Sequence, residues 1–225
     1  MRFIPLVLAT CTLTLPALAG ETRTLSGFTK IEVAGPVDVE VRPGAFQVTL
    51  EMDSEVARHL VTTVEDDELR IALEGRNLEV RGKPRVKVRM PAFRGVKIQG
   101  SGDADIEGFK SQEKVALAVS GSGDIRYKGT AAGVAVAIEG SGDVVLGEGE
   151  AGALQATIQG SGNLKARDFK AKNVSVGIMG SGDADVRVVG GALKAAVNGS
   201  GDIRWTGEAS TVSAATHGSG SIAKR

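Results

Sequence analysis

The chain has 225 residues, of which 42% are apolar, and its 27 basic and 27 acidic side chains balance to a formal charge of zero. This apolar content excludes a disordered chain, because disordered segments lack the apolar surface that offsets the entropy lost on folding. The neutral balance provides no overall attraction to nucleic acid or to an anionic membrane, so we expect no nucleic-acid partner.

Residues 1–19 have the features of a cleaved signal peptide. Arg2 supplies a positive start, an apolar stretch follows, and small residues occupy the cleavage positions up to Ala19. We predict cleavage after Ala19 and export to the periplasm or the exterior. The apolar stretch is too short for a transmembrane span and contains two prolines.

A lipoprotein anchor at Cys11 is the less favoured alternative. Thr10 is bulkier than the small residue that normally precedes a lipidated cysteine, and the apolar stretch continues after Cys11. Cys11 is the only cysteine in the chain. Cleavage after Ala19 would therefore leave a protein without disulfides or thiol chemistry.

The mature part is predicted to be a single β-solenoid domain over residues 20–225, with an atypical N-terminal region. Residues 28–52 fit a first coil and a further strand, with Asp38 at the end of a degenerate corner. Residues 53–84 are predicted to leave the solenoid as an excursion or cap, with a short helix starting near Asp53.

Residues 85–225 carry a Gly-Ser-Gly-Asp motif that recurs about every twenty residues. The apolar residues alternate with polar ones on both sides of the motif, which is typical of half-buried strands. The pattern predicts an all-β solenoid of stacked parallel coils, in which Ile138, Ile158 and Ile178 lie above one another in a dry core.

The motif itself is predicted to be a corner between two faces of the coil. Glycine adopts positive φ without a Cβ clash, and Ser and Asp side chains can bind nearby backbone N–H groups. The predicted structural corner glycines are Gly100, Gly102, Gly121, Gly123, Gly140, Gly142, Gly160, Gly162, Gly180, Gly182, Gly199 and Gly201.

Stacking the coils would bring Asp103, Asp124 and Asp143 close together. Two carboxylates about 4.8 Å apart repel by about 0.9 kcal/mol even at the dielectric constant of water. Backbone hydrogen bonds at each corner are the favoured means of holding these charges. A calcium ion bound by the three carboxylates is the alternative, and no other cofactor is expected.

A second candidate site is a basic strand. Arg85, Lys87 and Arg89 alternate, so they share one strand face and could bind an anionic glycan or lipid headgroup. The favoured alternative is a solvated face balanced by acidic residues nearby in the sequence. Those acidic residues are Glu65, Asp66, Asp67, Glu68, Glu74 and Glu79.

Two further surfaces could meet a partner. The outward position three residues before each corner carries mostly small side chains, such as Ala118 and Ala137, and would form a flat strip. This strip is either covered by another layer of the chain or free to dock a partner. The last coil has no capping segment, so it is either blunted by Lys224 and Arg225 or pairs with another chain.

The opening Phe28, Ile31, Val33, Gly35 and Asp38, followed by serial Gly-Ser-Gly-Asp corners, resembles the head GIN-domain family of autotransporter adhesins. The resemblance covers about residues 25–223. It implies a right-handed parallel β-helix, export in Gram-negative bacteria and an adhesin-like role. It supplies no catalytic or ligand-binding residue.

No residue constellation typical of an enzyme is present. The two histidines have no metal-ligand spacing, and Tyr127 and Trp205 occupy inward positions unsuited to carbohydrate stacking. We therefore favour a non-enzymatic binding or structural module of the cell envelope, whose partner is an envelope protein or a glycan.

Two alternatives stay open at this point. One is a polysaccharide-active β-helix enzyme that uses the aspartates with Arg126 or Lys128. The other is an envelope scaffold that forms homo-oligomers through its uncapped C-terminal coil.

Overall fold

The computed structural model describes residues 20–75 and 82–225. They form a β-solenoid of about six turns, with about twenty residues per coil. The predicted signal peptide and Cys11 fall outside the described residues, as does Glu79. None of the described residues form a helix long and apolar enough to cross a bilayer.

Between residues 20 and 90, the described residues form seven strands and one short helix. They are β1 Glu21–Arg23, β2 Lys30–Ala34, β3 Asp38–Pro43, β4 Gln47–Glu51, α1 Ser54–Ala57, β5 Leu60–Glu65, β6 Glu68–Leu73 and β7 Arg85–Met90.

The regular coils contain the remaining strands. They are β8 Gly95–Gly100, β9 Ala104–Lys110, β10 Lys114–Gly121, β11 Ile125–Gly140, β12 Val144–Leu146, β13 Gly149–Gly160, β14 Leu164–Gly180, β15 Ala184–Val189, β16 Ala192–Gly199, β17 Asp202–Glu208, β18 Thr211–Gly218 and β19 Ser221–Lys224.

Each coil presents three faces, which we name by their position relative to the Gly-Ser-Gly-Asp corner. Face A is the parallel sheet that precedes the corner and includes β8, β10, β13, β16 and β18. Face B follows the corner and includes β9, β12, β15, β17 and β19. Face C is the return from face B to face A, for example residues 129–133. The long strands β11 and β14 pass around the bend and contribute to more than one face.

The predicted stacking register is confirmed. Ile138 pairs with Ile158, and Ile158 pairs with Ile178, and all three are at most 1% exposed. Face A keeps a continuous register although the coils differ in length, so the differences are taken up on the way from face B to face A. The pairing slips at Lys128/Gly129, for example. The buried aliphatic side chains above one another therefore form one continuous core.

Four aromatic side chains form a column in this core. The ring centroids of Phe93 and Phe109 are 5.3 Å apart, those of Phe93 and Tyr127 are 6.3 Å apart, and those of Tyr127 and Phe169 are 6.4 Å apart. Tyr127 is fully buried and Trp205 is 8% exposed, which confirms that both face inward. Burial raises the pKa of the Tyr127 hydroxyl to about 12.

The coils at the N-terminal end are not stacked in chain order. The strand β2 lies between β6 and β8, and β3 lies between β7 and β9, with parallel pairing on both sides. The strands β6 and β7 therefore form a further coil outside the first one. The segment 53–84 is only partly the excursion expected from the sequence, because alternation identifies a strand but not its neighbour.

Residues 53–65 of this segment cap the N-terminal end. The predicted short helix is present as α1, where the Asp53 side chain accepts a hydrogen bond from the Glu55 N–H at 2.9 Å. The helix buries Val56 and Ala57, and Ala57 belongs to the core cluster. The guanidinium of Arg23 donates to the Leu60 carbonyl oxygen at 2.8 Å and so holds β1 on the cap.

The corner brings the backbones of successive coils into direct contact. The Gly100 carbonyl oxygen accepts hydrogen bonds from Ser122 N–H at 2.9 Å and Gly123 N–H at 3.1 Å, and later corners repeat this pair. A Cβ on Gly162 would lie 2.1 Å from the Gly142 carbonyl oxygen. The second glycine is therefore required by the spacing between coils.

The corner geometry predicts a sharp contrast between two glycines. Gly162→Ala should destabilise the fold by about 1–3 kcal/mol or more, since the corner must open to admit the methyl group. Gly177→Ala on face A is the matched control, because a Cβ there has no neighbour within 4 Å. Urea denaturation of the two variants checks this, and equal stabilities would contradict the assignment of the corner.

Candidate binding faces and the aspartate column

The aspartate column consists of the side chains at the fourth corner position, with Asp38 at its N-terminal end. The Oδ1 atom of each accepts a hydrogen bond from the backbone N–H of the corresponding residue one coil further on. The distances are 3.0 Å from Asp103 N–H to Asp38, 3.0 Å from Asp124 N–H to Asp103 and 2.9 Å from Asp143 N–H to Asp124. One oxygen of each carboxylate is thus committed to the backbone ladder.

The corner serines behave differently from the expectation. Among the side-chain hydrogen bonds of the described residues, the Asp side chain binds the neighbouring coil, whereas Ser101 and Ser122 are exposed at the corner. The serine is therefore the solvent-facing residue of the motif. The aspartate is the residue whose side chain forms a hydrogen bond between coils.

Cations occupy several of the second carboxylate oxygens. Lys83 Nζ lies 3.2 Å from Asp103 Oδ2, and Lys165 Nζ lies 2.6 Å from Asp143 Oδ2. Within residues 20–75 and 82–225, no group of three or more His, Cys, Asp or Glu side chains has an arrangement suited to a metal ion. Hydrogen bonds and ion pairs thus give a sufficient account of how the charges are held, and calcium stays an untested prediction.

Asn163 shows how a neutral residue fits the column. Its amide Nδ2 donates to Asp143 Oδ1 at 2.8 Å, and its Oδ1 accepts from Asp183 N–H at 2.9 Å. The same ladder therefore continues without a charge at this coil. The position requires an acceptor oxygen more than it requires a carboxylate.

The basic strand β7 presents Arg85, Lys87 and Arg89 on one exposed face, as its alternating pattern predicted. Lys87 Nζ lies 2.7 Å from Glu51 on β4. The acidic residues 65–68 lie instead on the β5–β6 hairpin at face A, so they do not balance this strand as expected. The pairing of β4 with β7 brings in Glu51, and no local sequence pattern reveals that pairing.

Many of the charged side chains on face B form ion pairs with one another. Arg42 Nη2 lies 2.8 Å from Asp105 Oδ1 on the next coil, and Arg204 binds both Asp183 and Asp202 at 3.1 and 2.8 Å. Side chains of opposite sign thus face each other across neighbouring strands. The result is a solvated and highly charged surface.

Face A has the opposite character from β10 to β18. Its outward positions carry small or uncharged side chains, apart from Lys114, Glu139 and Lys194. Ala137 and Thr157 are exposed, and Met179 is 48% exposed. The interpretation that another layer of the chain covers this strip is wrong for the described residues, because none of them packs over it.

The N-terminal end of face A differs from the rest. Glu32 lies 3.1 Å from Arg70 and 3.3 Å from Lys97, forming an ion-pair cluster on β2, β6 and β8. The region with few charges therefore begins at β10. We call the outward surface of face A from β10 to β18 the neutral face.

Residues 27–223 match the family model described as "Putative auto-transporter adhesin, head GIN domain". The chain belongs to this family. None of the curated proteins compared with the chain matches it.

Solved structures share the fold of this head GIN domain. A putative adhesin from Bacteroides fragilis is 22% identical with a TM-score of 0.86, covering 94% of this chain and 98% of that one. A putative adhesin from Parabacteroides distasonis is 22% identical with a TM-score of 0.74, covering 92% and 96%. A putative lipid binding protein from the same species is 23% identical with a TM-score of 0.70, with the same coverage. At these identities the likeness concerns the fold alone.

The ionisation of Asp143 is linked to the stability of the head GIN domain. Partial burial of the Asp143 carboxyl opposes its ionisation, but hydrogen bonds from Lys165 and Asn163 outweigh that effect and lower its pKa. A carboxyl whose pKa is lower in the folded state stabilises the fold above the pKa of the unfolded chain. This stabilisation is lost as the pH falls through the folded-state value.

Two variants of Asp143 should separate the hydrogen bond from the charge. Asp143→Ala leaves the Asn163 N–H without an acceptor and should cost about 1–3 kcal/mol. Asp143→Asn keeps the acceptor and should cost less than about 1 kcal/mol near neutral pH, through loss of the Lys165 ion pair. It should also lose less stability than the wild type on acidification to about pH 3.

The measurement is urea denaturation of the wild type and both variants at neutral and acidic pH. The hydrogen-bond account fails if Asp143→Asn is as unstable as Asp143→Ala. The linkage account fails if acidification costs the wild type and Asp143→Asn the same stability.

Proposed function

We propose that this head GIN domain is an exported, non-enzymatic binding module that docks an uncharged surface of an envelope protein or glycan on its neutral face. The observation that carries the proposal is the contrast between the faces. Face B is covered by ion pairs, whereas the neutral face has few charges over six successive strands.

The composition of the neutral face suits a protein or glycan contact. The centres of protein interfaces are depleted in charged residues, because burying a charge without a partner is costly. The small side chains let a partner approach the sheet closely, and Met179 offers an adaptable apolar contact at the corner end of β14.

The size of the neutral face is also adequate. Six strands about 4.8 Å apart and about eight residues long cover about 700 Å². A typical specific interface buries about 800 Å² on each partner. A single partner could therefore use the whole face.

The hydrogen-bonding of the aspartate column supports a non-enzymatic role. The candidate acids Asp103, Asp124 and Asp143 each accept a backbone hydrogen bond, and Lys128 lies 3.9 Å from Glu107. A general acid or base must instead be free to exchange a proton with a substrate. Export after Ala19 fits an envelope role and is part of the proposal.

A matched pair of variants tests the docking face. Ala132 and Ala137 both lie exposed on β11, but Ala132 faces outward on face C and Ala137 on the neutral face. We expect Ala137→Arg to weaken binding about tenfold or more, since an unpaired charge would be buried, and Ala132→Arg to leave it unchanged.

The wild-type protein is first screened on a glycan array and on neutral and anionic lipid vesicles. The affinity of both variants for the strongest probe is then measured. Equal affinities, or a loss with Ala132→Arg alone, would contradict docking on the neutral face. Release of reducing ends from a bound polysaccharide would contradict a non-enzymatic role. Strong binding to anionic vesicles only would point to the basic strand Arg85, Lys87 and Arg89.

The proposal requires no calcium, because each carboxylate of the column already has a hydrogen-bond donor. The melting temperature should therefore be the same in calcium and in chelator. A rise in melting temperature with calcium would show that the ion binds the folded state. It would favour a site at Asp103, Asp124 and Asp143.

A further inference from the structure

The C-terminal coil presents an open sheet edge. Within the described part of the chain, β18 pairs only with β16, and β19 pairs only with β17. All of β18 is exposed, including Val212 at 51% although it continues an inward row. The end of the core is thus uncovered, and so are the outer edges of β18 and β19.

The direction of the free backbone groups follows from the other coils. The outward residue Ala116 donates its N–H back to Arg94 O of the preceding coil at 2.9 Å, whereas the inward residue Ala104 donates to Asp124 O of the following coil at 2.8 Å. In β18 the inward residues are Val212, Ala214 and Thr216. Their N–H and C=O groups therefore point away from β16, to the open edge.

The edge lacks the usual protection against pairing. Natural edge strands commonly carry lysine or other charges that prevent association. The sequence of β18 contains no Asp, Glu, Lys or Arg, and His217 is its only histidine. Lys224 does not protect it, because its Nζ lies 3.4 Å from Glu208 and 5.0 Å from the centre of the Trp205 ring on face B.

The opposite end of the solenoid cannot supply the partner strand. There α1 covers the core, and the edge strands β5 and β1 carry Glu65, Glu21 and Arg23. A head-to-tail filament would have to place the open coil against this cap. Two C-terminal ends fit each other better, because a two-fold contact requires one self-complementary surface.

We propose that two copies of this chain associate end to end through antiparallel pairing of their β18 strands, about a two-fold axis at Ala215. Ala214 then lies opposite Thr216 of the second copy, and Val212 opposite Gly218. The free N–H and C=O groups of Val212, Ala214 and Thr216 would all form hydrogen bonds in this pairing. Among the outward side chains, Ser213 faces His217 of the second copy, and Ala215 faces Ala215 of the second copy. No two charges of the same sign therefore meet.

The dimer extends the proposed function without depending on it. The two neutral faces would join into one sheet across the contact, because β18 belongs to face A in both copies. A partner with repeated groups could then bind both copies. Loss of the dimer would leave the single neutral face and its predicted binding intact.

Two edge variants test the pairing. Thr216→Pro removes an N–H that the single copy does not use, and Val212→Lys adds a charge at the open edge. Both should weaken the dimer about tenfold or more without lowering the stability of the single copy. Val189→Lys is the matched control, because Val189 is 48% exposed on β15, away from the end.

Sedimentation equilibrium over a range of concentrations gives the mass. We expect twice the protomer mass for the wild type and Val189→Lys, and a larger monomer fraction for the two edge variants. A monomeric wild type, open-ended polymers, or equal dissociation of Val189→Lys would each overturn the proposal. A normal melting temperature at low concentration shows that the edge variants are folded.

A cysteine placed on the axis tests the register. In an antiparallel pair, residues at a non-hydrogen-bonded position have Cα atoms about 4.5 Å apart, which suits a disulfide. In a Cys11→Ser background, Ala215→Cys should form a covalent dimer under mild oxidation. Ala196→Cys, one coil earlier in the same outward column, should not. Equal cross-linking at both positions would overturn the proposed contact.

Discussion

The close stacking of identical corners is the constraint on which the rest of this structure depends. At the corners from Gly100 to Gly199 a glycine carbonyl oxygen accepts two N–H groups from the next coil, and a Cβ on Gly162 would lie 2.1 Å from the carbonyl oxygen below it. This contact favours one register, because a residue with a Cβ at the second glycine position could not approach the coil below so closely. Every side-chain column, buried or exposed, inherits its alignment from that register.

Alignment makes each column a place where like groups meet, and the structure resolves this differently on each face. In the core, Ile138, Ile158 and Ile178 gain from being adjacent, since apolar surface is removed from water. In the aspartate column, adjacency would be repulsive without donors, so each Oδ1 binds the next backbone N–H. On face B, individual cations bind acids on their own or a neighbouring coil, as Arg42 binds Asp105 and Arg204 binds Asp183 and Asp202. The neutral face carries few charges, so like charges rarely meet there. The same composition is what suits it to the docking proposed above.

The sequence predicts the features that depend on the repeat and fails where the repeat is broken. The corner position of Asp38 could be recognised despite its degenerate motif, and Tyr127 and Trp205 could be placed in the core. The position of β6 and β7 outside the first coil could not, because alternating apolar residues show that a strand has a buried side without showing which strand pairs with it. For the same reason, the ion pair between Glu51 and Lys87 could not be predicted, because it depends on the pairing of β4 with β7. The exposure of the neutral face could not be predicted from the repeat, because it depends on where every other segment of the chain packs.

The two ends of the solenoid solve a shared problem differently, because any stack of coils has a free sheet edge at each end. At the N-terminal end the chain departs from the repeat to form α1 and the β5–β6 hairpin, and these cover the core. At the C-terminal end the repeat continues into β18 and β19, whose inward residues have no coil to pair with among the described residues. The free groups and the uncharged sequence of β18 make this edge fit a strand like itself. The register that holds one coil on the next thus also leaves free backbone groups on the last described coil, which the proposed pairing would use.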